Sequence, residues 1–291
     1  MPEEITLKRG DTRIAVESWG SADDPVVLLI AGTSCTRDWW PPALCERVTR
    51  LGARVVRFDQ RDTGASTTWP VGAPGYGLTE LRDDVLGILD LLTVRRAHVV
   101  GFSQGGWVAQ LLALDHPERV ASLTLIATRP TGHGPADPDL PEVSTPLLTA
   151  WSALPEADWH DSASVVRSYI DGERVLAGSV FDESHAARIC TAAVRRSPHP
   201  ESASNHPLIT GPRWRERLPH IVAPTVVLHG TRDPLFPIEN ARALAREIPG
   251  ATLRELPGVG HELPPRIWPA LEQVLAAHLV GNAPARSRPL T

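Results

Sequence analysis

The sequence predicts an α/β protein built around a parallel sheet, on three observations. Short apolar runs suited to strands covered on both faces recur along the chain, helices with one apolar face separate them, and a glycine-flanked serine stands where one such strand passes into one such helix. In chain order, TRIAVESWG (12–20) alternates apolar and polar residues as a half-exposed edge strand does. PVVLLIAG (25–32) and ARVVRFDQ (53–60) read as buried strands. Between them, RDWWPPALCERVTRLG (37–52) reads as a helix with proline in its first turn and Gly52 closing it. Leu78, Leu81, Val85, Ile88 and Leu92 recur every three or four residues and give LTELRDDVLGILDLL (78–92) one apolar face. The strand AHVVGFS (97–103), a helix through Leu114 and the strand SLTLIAT (122–128) come next. Such alternation implies right-handed crossovers.

From Arg129 to about Pro219 the pattern breaks into a proline-rich stretch and irregular helical segments carrying Trp151, Trp159 and Trp214. Alternation then resumes with the strand APTVVLHGT (223–231), the helix IENARALAREI (238–248), the strand ATLRELPG (251–258) and the helix RIWPALEQVLAAHLV (266–280). This organisation is that of one core, 1–128 with 220–280, interrupted by a helical insertion at 129–219 and followed by a frayed tail at 281–291.

Composition narrows the function. The 291 residues are 42% hydrophobic and 22% charged, with a net charge of −5 and no runs of Lys or Arg, which argues against a nucleic-acid partner. The segment MPEEITLKRGDTR has no apolar stretch of the kind a secretory signal needs, and no window is apolar enough to span a membrane. Cys35, Cys45 and Cys190 are an odd, scattered set, as expected of buried free thiols in a reducing cytoplasm. No ligand-spaced His/Cys/Glu cluster, phosphate loop or dinucleotide fingerprint is present. The expected partner is a small molecule, with no metal and no cofactor, and the oligomeric state stays open.

The chemistry centres on GFSQGG. G-x-S-x-G between a strand and a helix can lift a serine to the carboxyl edge of a parallel sheet, although the pentapeptide alone is common. A serine hydroxyl is a weak nucleophile and needs a base oriented by a carboxylate. Asp233, in HGTRDPLFP, and His261, in LPGVGHELP, follow the two later strands in that order, at the strand ends where parallel sheets place their chemistry. Each alone has an ordinary reading: Asp233 before Pro234 as a turn former, His261 as a surface residue. Ser103, Asp233 and His261 together make the expected nucleophile, acid and base. The expected oxyanion donors are the backbone N–H groups of Gln104 and Thr33.

This order of motifs resembles the α/β-hydrolase superfamily. RVVRFDQRDTGASTT, AHVVGFSQGG, LALDHPERVASLTL and ELPGVGHELPP resemble more narrowly the aclacinomycin methylesterase group of polyketide-tailoring esterases. The resemblance spans roughly 10–128 and 220–280, and departs from many members in having Ala31-Gly32 where they have His-Gly. It implies the α/β-hydrolase fold: an eight-stranded, mostly parallel sheet under a helical cap, with the three residues above as the catalytic set. Asp59, Arg61 and Asp62 then read as fixing a loop. The function implied is hydrolysis of a carboxylic ester, a methyl ester in particular, of a bulky apolar or polyketide-type molecule through an acyl-enzyme. Lactone or thioester hydrolysis, a non-hydrolytic reaction on the same scaffold (C–C cleavage, cyclisation or decarboxylation), and a binding module with little turnover stay open. Trp39, Trp40, Phe102 and Trp107 are the candidate pocket residues, though tryptophan serves equally well in a core. The insertion's histidines, His133, His160, His185, His199 and His206, are expected to face solvent.

Overall fold

The computed structural model describes residues 2–281. Among them eight strands form one sheet: β1 (Glu3–Arg9), β2 (Thr12–Trp19), β3 (Val26–Ile30), β4 (Arg54–Phe58), β5 (Ala97–Phe102), β6 (Val120–Ile126), β7 (Thr225–Gly230) and β8 (Thr252–Leu256). Their spatial order is β1-β2-β4-β3-β5-β6-β7-β8. The pairs made by β2 are antiparallel and the rest parallel. The helices are α1 (Pro42–Thr49), α2 (Leu78–Leu91), α3 (Gln104–Asp115), α4 (Thr145–Ser152), α5 (Ser162–Leu176), α6 (Glu183–Arg196), α7 (Glu239–Glu247) and α8 (Trp268–Gly281).

Two apolar layers sandwich the sheet, because successive side chains of a strand point to opposite faces. Val26, Leu28 and Ile30 of β3 join α2 and α3 in one layer. Val27 and Leu29 join α1, α8 and Cys190 and Ala193 of α6 in the other. All five β3 residues are buried, which is why these runs lack alternation.

Two sequence expectations change. The segment 12–20 is not an edge strand, since β1 pairs with it from Glu3↔Ser18 to Arg9↔Thr12 across a two-residue turn whose Gly10 has φ +58°. The helix expected over 37–52 divides, with one 3₁₀ turn at Arg37–Trp39 and α1 beginning at Pro42. Pro42 holds the preceding Pro41 extended, at ψ 156°, so no helix runs through the pair. Within the segment read as insertion, Ile209, Trp214 and Leu218 pack into the α2/α3 layer, Trp214 donating to Gln110 Oε1 at 2.9 Å. The tail 281–291 lies outside the described residues except for Gly281, which closes α8.

The DQRDTGAS loop is tied down by buried polar contacts. Asp59, fully enclosed, accepts from the N–H groups of Arg37 (2.9 Å) and Ala65 (3.1 Å) and from both terminal nitrogens of Arg196. Gly64 has φ +53°, and a Cβ there would fall 2.2 Å from the Asp59 carboxyl carbon, so no larger residue fits. Arg61 pairs with buried Asp84 at 2.6 Å, and Asp62 accepts from Trp69 N–H (2.6 Å) and Tyr76 O–H (2.7 Å). Arg196, on α6, also holds Asp38, so this one guanidinium joins the segment between β6 and β7 to two loops of the core.

Removing it strands two carboxylates. Arg196→Met is expected to lower unfolding stability by about 3–5 kcal/mol in urea titration, with part of the loss recovered in Arg196→Met/Asp59→Asn. A loss below about 1 kcal/mol, the range of exposed pairs, would show that the network is solvated.

Candidate active site

Ser103 stands between β5 and α3 with φ +52° and ψ −119°, a backbone conformation that non-glycine residues rarely take. Its three glycine neighbours make room for the turn. A Cβ on Gly101 would meet Gly105 O at 2.4 Å, one on Gly105 would meet Ile30 O at 2.3 Å, and one on Gly106 would meet Thr128 Oγ1 at 2.6 Å. The first turn of α3 therefore lies directly on the ends of β3, β5 and β6. Thr128 Oγ1 donates to Ser103 O at 2.7 Å and fixes the corner from the β6 side.

The structure brings the three distant residues together. His261 Nε2 lies 2.9 Å from Ser103 Oγ, and His261 Nδ1 lies 2.9 Å from Asp233 Oδ2. The other oxygen of Asp233 accepts from the N–H groups of Leu235 (2.9 Å) and Phe236 (2.8 Å). Burial opposes ionisation of this carboxyl, but His261 and these donors outweigh it and hold its pKa below the ordinary value. His229, wholly buried behind it, donates from Nε2 to Phe236 O at 2.7 Å and is kept neutral by desolvation.

Thr33 lines the same cavity as Ser103, and Gln104 follows Ser103 in the chain. Gln104 opens α3, so its N–H is one of the donors a helix leaves unused. The Thr33 N–H has no acceptor among the described residues. The next residue, Ser34 at φ +60°, gives its N–H to His206 Nδ1 (2.9 Å) and its hydroxyl to Ala203 O (2.7 Å). His206 Nε2 donates in turn to Arg61 O at 2.7 Å. Expected in solvent, His206 is instead completely buried and clamps the loop after β3; desolvation lowers its pKa and keeps it neutral. His185 is buried as well, its ring edge-on to Trp268, whereas His133, His160 and His199 are exposed.

A cavity of about 500 Å³ opens above Ser103 and His261. Trp39, Phe102 and Trp107 line it, joined by Trp151, Tyr169 and Leu176 from α4 and α5. Trp40 does not: it is fully enclosed in the layer beneath α1 and α8, because the Pro41-Pro42 break turns it inward. Trp159 is surface-exposed. The end of α5 is pressed onto the histidine loop. His261 N–H donates to Leu176 O at 2.8 Å, Ser179 N–H donates to Gly258 O at 2.8 Å, and a Cβ on Gly178 would meet Gly258 O at 2.1 Å.

Sequence reasoning misses two charged cavity residues, Glu173 and Arg129. Glu173 looks like any polar position on the amphipathic α5, and nothing local marks it. Arg129 follows a parallel strand at its carboxyl end, and that position was the available signal. Trp39 Nε1 donates to Glu173 Oε1 at 2.9 Å, but desolvation outweighs this bond and the nearby His261, pushing the carboxyl up to about 7.

The unfolded chain loses this proton near the ordinary value of 4.5 and the folded chain near 7. Between those values the folded state holds more protons, so this group's contribution to stability falls as pH rises and is level above about 7. The stability of Glu173→Gln relative to wild type, measured by urea unfolding at a series of pH values, is expected to rise through that window and then stay flat. A difference independent of pH would contradict the placement of the carboxyl in a dry cavity.

Among the described residues no helix is long and apolar enough to cross a membrane, and no three His, Cys, Asp or Glu side chains are grouped to hold a metal ion. Residues 24–145 match the family described as alpha/beta hydrolase fold. Along almost its whole length the chain is similar to a rhodomycin D methylesterase of Streptomyces sp. (strain C5), at 33% identity over 96% of this chain and 98% of that protein. A rhodomycin D methylesterase of Streptomyces peucetius is 32% identical over 90% of this chain and 93% of its own. A crystal structure of a hydrolase from Pseudomonas aeruginosa superposes with a TM-score of 0.72 at 26% identity, covering 95% of this chain and 98% of that one. With its mostly parallel sheet, its serine corner and relatives that match it from end to end, the chain belongs to the α/β-hydrolase family and, within it, to the aclacinomycin methylesterase-like group.

Proposed function

We propose that the chain is a serine hydrolase that cleaves the methyl ester of a bulky, largely apolar, polyketide-type molecule through an acyl-enzyme on Ser103. The observation that carries this reading is the continuous line Ser103 Oγ–His261 Nε2, His261 Nδ1–Asp233 Oδ2, 2.9 Å at each link, on the floor of an apolar cavity. The relatives named as rhodomycin D methylesterases support the ester class.

In this mechanism Nε2 of His261 takes the proton of Ser103 as Oγ adds to the ester carbonyl. The oxyanion forms against the N–H groups of Thr33 and Gln104. Collapse of the tetrahedral adduct breaks the C–O bond to the alcohol, which leaves with the proton held by His261. Water, deprotonated by the same nitrogen, adds to the acyl-enzyme and releases the acid with Ser103 restored. Asp233 holds Nδ1 protonated throughout and stabilises the imidazolium. We read the helices of 129–219 as a cap that selects substrate, since Trp151, Tyr169 and Leu176 contribute the upper wall of the cavity.

Two measurements test this. Intact mass after fluorophosphonate treatment is expected to show one adduct on wild type and none on Ser103→Ala, with hydrolysis of a p-nitrophenyl ester and methanol release from a polycyclic methyl ester both falling by roughly 10⁴-fold or more in the variant. Asp233→Asn is expected to retain the adduct, formed slowly, and to lose about 10⁴-fold in kcat through the wrong imidazole tautomer. Undiminished turnover in Ser103→Ala would remove Ser103 from the chemistry, and an adduct without ester turnover would move the weight to a non-hydrolytic reaction.

A further inference from the structure

Arg129 presents a charge problem that the proposed mechanism leaves unsolved. The residue is 5% exposed and lines the cavity just after β6, beside Trp107, Phe236 and His133. Its guanidinium carbon lies 5.1 Å from the Phe236 ring centre and 5.9 Å from that of Trp107, and Phe236 packs edge-on against the ring of His261. Nη2 donates to the carbonyls of Gly132 and Gly134, which fixes the head in place. Nε is buried without an acceptor, Nη1 donates to nothing among the described residues, and no carboxylate there comes within 4.0 Å. Other buried arginines of this chain, such as Arg57, Arg61 and Arg37, pair with Glu17, Asp84 and Glu4.

A guanidinium withdrawn from water without a counterion is expensive, and aromatic faces repay only part of the cost. Desolvation accordingly pulls the Arg129 pKa down, and the carboxylates that oppose it, Glu142 and Asp137, act from outside the cavity wall. Asp137 is already engaged by Arg213 and Arg215. Glu173, the carboxyl on the α5 wall, is committed to the Trp39 indole.

We infer that Arg129 is a substrate-anchoring residue whose missing counterion arrives with the ligand, an anionic oxygen (carboxylate or ionised phenol) remote from the scissile ester. This rests on the ester-hydrolase reading above and adds to it a substrate class: esters that carry a second, acidic group. An oxygen bound at Nη1 beside Phe236 sets the far end of the substrate while the ester carbonyl lies at Ser103. A charge-assisted bond to a largely buried guanidinium distinguishes an acidic substrate from its neutral isostere far better than apolar contact does.

The test compares mono-p-nitrophenyl esters of straight dicarboxylic acids, from adipate to sebacate, with the corresponding terminal amides of equal length. At the chain length that spans from Ser103 to Arg129, wild type is expected to show a kcat/KM ratio of acid to amide of roughly 10- to 100-fold, carried in KM. Arg129→Met is expected to bring that ratio to about one, and Arg129→Lys to keep part of it. A wild-type ratio near one at every length overturns the assignment, and so does a ratio that Arg129→Met leaves unchanged while both rates fall, the signature of a structural arginine. If Arg129→Met does not fold, the wild-type series with Arg129→Lys decides. Failure of the ester-hydrolase reading is separate: wild type would then cleave neither acid nor amide, or Ser103→Ala would cleave both.

Discussion

The close approach of α3 to the strand ends is the constraint on which the site depends. Backbone carbonyls of Ile30 and Gly105 occupy the places where side chains on Gly105 and Gly101 would stand, so helix and sheet meet without intervening atoms. That contact goes with the positive-φ turn of Ser103 at the N-terminus of α3. Conformational freedom lost at three glycines and strain of the order of 1–3 kcal/mol at one serine are the counterpart of a preformed corner. The surrounding layers, with almost every β3 and β5 residue enclosed, supply the rigidity that keeps it there.

Electrostatics around the corner work by difference in solvation. Asp233 and Glu173 are both carboxyls held out of water near the same histidine, yet their pKa values move in opposite directions. Asp233 has two backbone donors on one oxygen and His261 at the other, whereas Glu173 has a single indole N–H. For Asp233 the charge of His261 and these donors outweigh burial, whereas for Glu173 burial outweighs its single donor and the same histidine. A chamber with so few charges makes each one consequential, because the low dielectric strengthens whatever partner does arrive.

Much of this is readable in the residues. Strand-length apolar runs point to the parallel sheet, and an acid and a histidine placed after successive strands point to Asp233 and His261. The first strand escapes such a reading although Ile5 and Leu7 alternate ahead of a Gly-Asp turn, because four charged neighbours mask the pattern. His206 and Glu173 are invisible for a different reason. Their roles are defined by partners more than 100 residues away, Ser34 and Trp39, and no local spacing encodes such a contact. Trp40 shows the reverse case: adjacent to the cavity-lining Trp39, it is turned into the core by the proline pair after it.

The seam between α5 and the histidine loop has a consequence for how such proteins diversify. Segments inserted between β6 and β7 look exchangeable, a wardrobe of covers for one chassis. Here the segment is stitched to the His261 loop itself, through Leu176 O and the glycine contact at Gly178. A chimera that imports a foreign segment without this seam would inherit a histidine loop with an unsatisfied N–H and a loosened imidazole. Recombination boundaries that respect it fall beyond Ser179, so α5 and its seam travel with the chassis.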